Sequence, residues 1–364
     1  MRVQSVSTAL LAASAPLASA QLHRYAKKAG LLYFGSATDS PGQRERAGLE
    51  AAYPQYDAIF ADNDQFGQTT PTNGQKWLFT EPERGVFNFT EGEITSDLAA
   101  KQGKLLRCHA LVWHSQLAPW VETTEWTPEE LREVIVEHIT QVAGHWKGQC
   151  YAWDVVNEAL NEDGTWRESV FYTVLGEEYI NLAFKTAAEI DPEAKLYYND
   201  YNLEWPGPKA DGAIRIVKML QEAGIKIDGV GLQAHHVASR APTLDQQIAV
   251  LESYTALGVE AAYTELDIRL DVPSNETSLQ WQKGAYINAT GACAQVEGCV
   301  GITLWDFYDP FSWIPYVFPG EGEAHLWFAD FTVHPAYYGV LAALKNATGA
   351  CDKKVRGLAK LFRS

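Results

Sequence analysis

The chain has 364 residues, of which 46% are hydrophobic, and it carries a net charge of −17 at pH 7. This length suits one large domain or two small ones. The acidic balance excludes nucleic acid and anionic membranes as favourable partners, and it suits a neutral ligand. The sequence has no cysteine or histidine spacing typical of metal ligands, so we expect neither a metal nor another cofactor.

The first 20 residues have the features of a secretory signal peptide. Arg2 gives a positive start, residues 9–18 are apolar and small, and residues 18–20 read Ala-Ser-Ala, which fits a cleavage site. No later stretch reaches the roughly 20 apolar residues of a membrane-spanning helix. We therefore expect a secreted, extracellular monomer without a membrane span. It carries glycosylation sequons at Asn88, Asn275, Asn288 and Asn346.

Strand-like runs alternate with helix-like runs eight times between residues 31 and 346. The predicted strands lie near 31–38, 64–70, 105–114, 151–158, 195–202, 229–236, 260–269 and 299–309. The predicted helices lie near 42–52, 91–103, 127–145, 168–190, 208–223, 242–257, 276–294 and 334–346. Alternation of this kind predicts a parallel sheet. Eight repeats in one unit predict an α/β fold, a single (β/α)8 TIM barrel that covers residues 21–350 as the catalytic domain.

The last residues, 351–364, form a basic C-terminal tail that differs from the rest of the chain. Its apolar residues at 355, 358, 361 and 362 would share one face of an amphipathic helix, which could contact a surface or a partner. The alternative, which we favour, is a frayed or loosely docked terminus.

Five cysteines are an odd number, so at least one has no partner within the chain. Cys293 and Cys299 are six residues apart and could form a disulfide in an oxidising compartment. Cys108 lies in an apolar, strand-like run, and we expect it to be a small buried side chain. Whether Cys108, Cys150 or Cys351 is paired stays open.

Two short strings give the strongest functional signal. Residues 153–158 read Trp-Asp-Val-Val-Asn-Glu, and residues 264–269 read Thr-Glu-Leu-Asp-Ile-Arg. Each is an apolar run that stops at carboxylates, as a buried parallel strand does at the rim of a barrel. Glycosidic bond cleavage needs two such carboxylates, one to protonate the leaving oxygen and one to attack or to activate water. The alternative is that both acids are ordinary, solvated residues at the ends of strands.

Several motifs make the chain resemble glycoside hydrolase family 10, the endo-β-1,4-xylanase family, over residues 31–346. They are His109-x-x-x-Trp113-His114, the two strings above, and a strand ending that reads Gly301-Ile302-Thr303-x-Trp305. The resemblance implies that Glu158 is the general acid/base and Glu265 the nucleophile. It also implies retention of configuration, for which the two carboxyl groups lie roughly 5–5.5 Å apart.

The resemblance further implies which residues support the reaction and bind the sugar. Asn157 would grip the sugar 2-hydroxyl, and His235 and Asp267 would orient Glu265. The family positions that form the sugar platform are matched by His109, Trp113, Gln116, Gln233, Trp305 and Trp313. Indole faces stack on sugar rings there, and amides and imidazoles pair with hydroxyl groups. We also expect Asn73, Lys76 and Tyr201 to bind the substrate.

The pattern is broken after the second predicted strand. Thr72 stands where the family has a glutamate that grips the distal sugar on the glycone side, and Gln75 replaces a methionine. Cys108 and Ala110 replace a glycine and a threonine on either side of His109. Loss of a charged acceptor typically removes about 1.5–3 kcal/mol of binding free energy, enough to reshape a sugar subsite.

The loop at residues 306–318 is unusually aromatic and could either roof the cleft or receive an apolar aglycone. Together with Thr72, it leads us to prefer slightly a tomatinase-like enzyme. Such an enzyme releases an intact oligosaccharide from a steroidal glycoalkaloid or saponin such as α-tomatine. The alternative carbohydrate substrate is plant cell-wall xylan. A non-catalytic sugar-binding or inhibitor barrel is a remote alternative, because both glutamates are present.

Overall fold

The computed structural model describes residues 21–39 and 53–361, with side chains for residues 21–39 and 54–348. The predicted signal peptide and the helix expected at 42–52 lie outside the described residues. Within the described ranges, no helix combines the length and the apolar character needed to cross a membrane.

Eight parallel strands close into a barrel, which confirms the predicted (β/α)8 architecture. The strands in chain order are β1 (Tyr33–Ala37), β2 (Gln68–Thr70), β3 (Leu105–Trp113), β4 (Cys150–Asn157), β5 (Lys195–Asp200), β6 (Gly229–Leu232), β7 (His235–Val237), β8 (Glu260–Asp271), β9 (Cys299–Leu304) and β10 (Glu321–Gly322). The barrel closes where β9 pairs with β1 and with β8. The short β7 extends the sixth barrel strand along β8, and β10 pairs antiparallel with the end of β8.

The α-helices in chain order are α1 (Leu22–Lys28), α2 (Tyr53–Ala61), α3 (Trp77–Thr80), α4 (Thr90–Gln102), α5 (Pro119–Thr123), α6 (Pro128–His145), α7 (Val170–Leu175), α8 (Glu178–Ile190), α9 (Pro208–Glu222), α10 (Leu244–Thr255), α11 (Glu276–Gln295), α12 (Ile314–Val317) and α13 (Pro335–Leu361). The predicted start of α6 is confirmed by a capping box. The Thr127 side chain accepts from the Glu130 backbone amide, and the Glu130 side chain accepts from the Thr127 backbone amide. The segment predicted as one helix at 168–190 is two helices. They are separated at Gly176, whose φ of 59° a helix does not accommodate.

The eighth predicted strand was too long, because β9 ends at Leu304 rather than near 309. The chain leaves the strand conformation at Asp306, which has a φ of 73°. Positive φ values also occur at Gln116, Glu158 and Ala234, which follow the ends of β3, β4 and β6 at the same rim. Strained backbone of this kind clusters where side chains are held for function.

Two disulfides link parts of the barrel wall. Cys293 and Cys299 are bonded, as predicted, and join α11 to β9. Cys108 is fully buried as expected, but it is not an isolated side chain, because it is bonded to Cys150. This bond joins β3 to β4, the two strands that lead to His109 and Glu158. The backbone of α13 continues as a helix to Leu361, past residue 351, where the tail was predicted to begin.

Candidate active site

The C-terminal ends of the strands surround a cavity of about 690 Å³. With one exception, every residue proposed from the sequence for catalysis or sugar binding lines it. These residues are Asn73, Lys76, His109, Trp113, Gln116, Asn157, Glu158, Tyr201, Gln233, His235, Glu265, Trp305 and Trp313. The exception is Asp267, which is fully buried behind His235. A barrel places strand ends at one face, so residues far apart in sequence meet there.

Glu265 is a buried carboxylate, 5% exposed, near the middle of β8. Its Oε1 accepts from Asn199 Nδ2 at 2.8 Å, and its Oε2 lies 3.3 Å from His235 Nε2. Burial would raise the pKa of Glu265, but the hydrogen bond with His235 and the neighbouring imidazoles outweigh burial and lower the pKa. Glu265 is therefore ionised at neutral pH.

His235 connects two carboxylates. Its Nδ1 lies 2.9 Å from Asp267 Oδ2, which also accepts from Trp313 Nε1 at 2.8 Å. Burial would lower the pKa of His235, but Asp267 and Glu265 raise it to about 10. The ring is an imidazolium at neutral pH and donates from both nitrogens. Its charge keeps Glu265 ionised and fixes the direction of that carboxylate.

Glu158 has a different environment. It follows the last residue of β4 with a φ of 58°, and it is more exposed to the cavity than Glu265. Its Oε1 accepts from Gln233 Nε2 at 3.0 Å, and its backbone amide donates to the Asn199 carbonyl at 2.9 Å. Two carboxyl groups in one cavity therefore differ, since one contacts an imidazolium and the other only neutral donors.

Asn199, near the end of β5, is a residue of the site to which the sequence assigned no role. It lies beside Asn157 in the register of β4 and β5. Its Nδ2 lies 2.8 Å from Glu265 Oε1 and 2.8 Å from the Asn157 side chain, and its Oδ1 accepts from Thr264. The pairing of β4 with β5 would have identified Asn199 as a neighbour of Asn157, but a single sequence does not show which residues of two strands are paired.

His109 lines the cavity and is held from below by the buried ion pair of Arg107 and Asp154. Its Nδ1 lies 3.0 Å from Asp154 Oδ2, and Arg107 also binds Asp154. The Arg107 guanidinium stacks over the Tyr197 ring at 4.2 Å. Burial would raise the pKa of Asp154, but Arg107 and His109 lower it. The imidazole of His109 therefore has one nitrogen fixed by Asp154, which leaves the other for a ligand.

Two of the departures from the family pattern contact each other. Gln75 is fully buried, its Nε2 donates to Cys108 Sγ at 3.4 Å, and its Oε1 accepts from the His109 amide at 3.1 Å. The glutamine therefore supports the strand that carries His109, and Cys108 is itself bonded to Cys150. These changes form one packing unit below the cavity and do not line it.

The cavity wall also contains Arg269, which the sequence did not identify as a site residue. Arg269 lies two residues beyond Asp267 on β8, and its guanidinium lies 4.0 Å from the centre of the Phe318 ring. Phe311, Val317 and Phe318 of the aromatic loop also line the cavity. Residues 265, 267 and 269 are spaced by two, so they lie on one side of the strand. This spacing in the sequence could have identified Arg269 as a site residue. In the described part of the chain, no group of three or more His, Cys, Asp or Glu residues could hold a metal ion.

A (β/α)8 barrel with two carboxyl groups and several indoles at its C-terminal rim defines an enzyme that cleaves glycosidic bonds. The chain belongs to Glycosyl hydrolase family 10, which it matches over residues 21–343. It is accordingly a retaining O-glycosyl hydrolase.

Its relatives are xylanases by name. Endo-1,4-beta-xylanase A of Humicola insolens is 72% identical over 330 residues, 91% of this chain and 88% of the relative. Endo-1,4-beta-xylanase D of Talaromyces funiculosus is 48% identical over 348 residues, 96% of this chain and 83% of the relative.

Solved structures of similar sequence share the fold. A GH10 xylanase from Bispora sp. MEY-1, solved with xylobiose, is 42% identical, with a TM-score of 0.84 over 88% of this chain and 99% of that chain. Penicillium canescens endo-1,4-beta-xylanase XylE is 40% identical, with a TM-score of 0.85 over 90% and 98% of the two chains.

Proposed function

We propose that this enzyme is a secreted endo-β-1,4-xylanase that hydrolyses plant cell-wall xylan with retention of configuration. The observation that carries the proposal is one open cavity that holds Glu158 and Glu265 together with indole and amide side chains. The identity of 72% to a named xylanase supports xylan over other β-linked polysaccharides.

In this proposal Glu265 is the nucleophile. Its carboxylate attacks the anomeric carbon of the sugar and forms a covalent glycosyl-enzyme, while the glycosidic bond to the leaving oxygen breaks. The imidazolium of His235 and the amide of Asn199 each bond one oxygen of Glu265, which supports an oriented, ionised nucleophile. Its lowered pKa is consistent with this role.

Glu158 is the proposed general acid/base. It gives its proton to the leaving oxygen in the first step and takes a proton from water in the second, when water releases the sugar from Glu265. Gln233 donates to Glu158 at 3.0 Å, which holds the carboxyl group towards the cavity. The adjacent Asn157 is the proposed contact of the sugar 2-hydroxyl, an interaction that strengthens in the transition state.

The proposed sugar platform follows from the aromatic rings in the cavity. The His109 ring meets Trp305 edge-on at 5.4 Å, and His235 meets Trp313 edge-on at 4.9 Å. Each indole is thereby fixed, which suits stacking against a pyranose ring. Lys76, Asn73 and Gln116, which are hydrogen-bonded to one another, supply polar contacts in the cavity, and Tyr201 supplies a further one.

The glycoalkaloid substrate remains the second candidate. It is favoured by the aromatic lining from Phe311, Val317 and Phe318, which would suit an apolar aglycone. The named relatives favour xylan over the glycoalkaloid that Thr72 and this loop had led us to prefer.

Secretion is proposed from the N-terminal sequence and is supported by the two disulfides, which suit an oxidising compartment. Asn88, Asn275 and Asn346 are exposed and could carry glycans. Asn288 is half-buried, and its Nδ2 lies 3.5 Å from the Pro242 carbonyl oxygen. The enzyme is proposed to act as a monomer.

Product analysis after parallel incubation with xylan and with α-tomatine tests the substrate, with Glu158→Gln as the inactive control. Xylo-oligosaccharides from xylan with tomatine intact are the expected result. Release of aglycone and one intact tetrasaccharide, with xylan untouched, would replace xylan by the glycoalkaloid. Binding of xylan without hydrolysis of either substrate would support the sugar-binding alternative.

A further inference from the structure

Lys76 is a buried cation with neutral neighbours. It is 6% exposed, and its Nζ donates to Gln116 Oε1 at 2.6 Å and to Asn73 Oδ1 at 3.1 Å. The Trp113 ring lies 4.8 Å from the same nitrogen. Among the described residues, no aspartate or glutamate forms an ion pair with it. An ammonium that is removed from water usually has a carboxylate partner, so the missing anion needs an explanation.

Two other buried lysines provide a comparison. Lys209 is 3% exposed and is paired with Asp200 and Glu162, each at 3.0 Å. Lys104 is 7% exposed and also has neutral acceptors, namely the Asn63 side chain and the Phe66 carbonyl, but it does not line the cavity. Lys76 alone among these three combines neutral partners with a place in the cavity wall. An ammonium has three donors, and two acceptors leave one N–H for a ligand.

Carboxylates act on Lys76 only from a distance. Burial lowers the pKa of Lys76 to about 8, although Glu265, Asp39 and Glu158 act in the opposite direction. Asp39 Oδ2 accepts from Asn73 Nδ2 at 2.6 Å, and Asp39 is not among the residues that line the cavity. Within residues 21–39 and 54–348, Lys76 therefore has no anion within ion-pair distance, and a ligand that supplied one would stabilise the ammonium.

Thr72 lines the same cavity as Lys76, and both residues contact the Asn73 side chain. It lines the cavity and is 4% exposed, and its Oγ1 accepts a long bond from Asn73 Nδ2 at 3.4 Å. A hydroxyl group that accepts one bond can still donate its own proton. The short side chain occupies less space than a glutamate would and adds no negative charge next to Lys76.

We propose that this end of the cleft binds a xylan sugar that carries a carboxylate, namely a glycone xylose substituted with glucuronic acid. The inference rests on the proposed function and names the substrate class at one subsite. The Lys76 ammonium donates its remaining N–H to the uronate carboxylate, and the Thr72 hydroxyl donates to its second oxygen. The neutral amide of Asn73 separates this anion from Asp39.

A matched pair of substrates tests the charge. One is a xylo-oligosaccharide with a single glucuronic acid branch, and the other is the same compound after its carboxyl group has been reduced to the alcohol. We expect kcat/KM to be at least about fivefold higher for the acid than for the reduced compound, since charge-assisted bonds are the stronger ones. Equal rates, or faster cleavage of the reduced compound, would overturn the inference.

Product structure locates the subsite. Mass spectrometry of the fragments should find the glucuronic acid on the xylose next to the new reducing-end residue, since the proposed site lies one sugar beyond the cleavage site. Products that carry the branch only at their non-reducing end would place the acid on the aglycone side and contradict the inference.

Two variants separate charge from space. Thr72→Glu restores an acid beside Lys76, and Thr72→Gln fills nearly the same volume without charge. We expect Thr72→Glu to reduce the ratio of kcat/KM for acid over reduced substrate to about one or below, and Thr72→Gln to keep a ratio above one. An equal loss in both variants would mean that room alone matters, against the inference. Wild-type enzyme that cleaves unbranched xylo-oligosaccharides but shows no preference for the acid would contradict this inference alone. Wild-type enzyme that cleaves no xylo-oligosaccharide would contradict the proposed function as well.

Discussion

His235 Nδ1 lies 2.9 Å from Asp267 Oδ2, and the other nitrogen of the same ring lies 3.3 Å from the carboxylate of Glu265. The buried Asp267 raises the pKa of His235 and acts on Glu265 through that ring. We expect Asp267→Asn to remove the charge that raises the pKa of His235, so that Glu265 loses its imidazolium partner. The acidic limb of the pH dependence of kcat/KM should move to higher pH, with a loss of about tenfold or more at neutral pH.

A pair of the same chemistry at the surface is the control for that measurement. His145 Nε2 lies 3.0 Å from Glu93 Oε1, where both side chains are partly exposed. We expect Glu93→Gln to leave the pH profile of kcat/KM where it is, because exposed pairs contribute little. An unchanged profile for Asp267→Asn as well would contradict the role that we give to His235.

The stability of the folded chain should also depend on His235. Its pKa of about 10 in the folded state lies above the ordinary value of 6.5. A group whose pKa is raised by folding stabilises fully below its unfolded pKa and loses that contribution as pH rises to the folded pKa. Denaturant unfolding of wild type and His235→Gln should therefore differ most at pH 6 and less at pH 9.5. A difference that is constant over this interval would mean that the ring is neutral in the folded state.

Asn199 is the residue whose part in the site the sequence did not identify. Its amide donates to Glu265 Oε1 at 2.8 Å. Hydrogen bonds to charged groups contribute about 1.5–3 kcal/mol, so Asn199→Ala should lower kcat/KM by about 10- to 100-fold. The control is Gln221→Ala, which removes an exposed amide bonded to the Leu257 carbonyl outside the cavity. Activity within about twofold of wild type for Asn199→Ala would show that Glu265 does not need this donor.

The two disulfides should differ in their contribution to the free energy of unfolding. The bond between Cys108 and Cys150 spans 42 residues, and the bond between Cys293 and Cys299 spans 6. The chain-entropy relation gives about 4 and about 2 kcal/mol for loops of these lengths. Replacing each pair by alanine and measuring denaturant unfolding would check this order. The opposite order would mean that strain or residual structure, rather than loop length, sets the contribution.

The barrel and its rim carboxylates could be predicted because the sequence of a buried parallel strand is an apolar run that ends in polar residues. Glu158, Gln233 and Trp305 follow this pattern, whereas Glu265 ends an apolar run in the sequence but lies within β8. These are local signals, in which a strand and the residue that ends it are adjacent in the sequence. The closed order of strands follows from their number and from short right-handed connections.

Contacts between strands could not be predicted in this way. The bond between Cys108 and Cys150 depends on the register of β3 and β4, as the contact of Asn199 with Glu265 depends on β5 and β8. The break in the sixth strand at Ala234 is likewise set by tertiary structure, because its amide donates to the buried carboxylate of Glu204 at 2.7 Å. Alanine has no intrinsic preference for the positive φ that it adopts there.

The most direct test of the central claim is to trap the covalent intermediate. A 2-deoxy-2-fluoro-β-xylobioside of dinitrophenol should glycosylate the enzyme once and release one dinitrophenolate, because the fluorine slows release of the sugar more than its attachment. We expect intact mass spectrometry to find one fluoroxylobiosyl group per chain, peptide analysis to place it on Glu265, and Glu265→Gln to show none. An adduct on another residue, or hydrolysis that inverts the anomeric configuration without any adduct, would contradict a double displacement through Glu265.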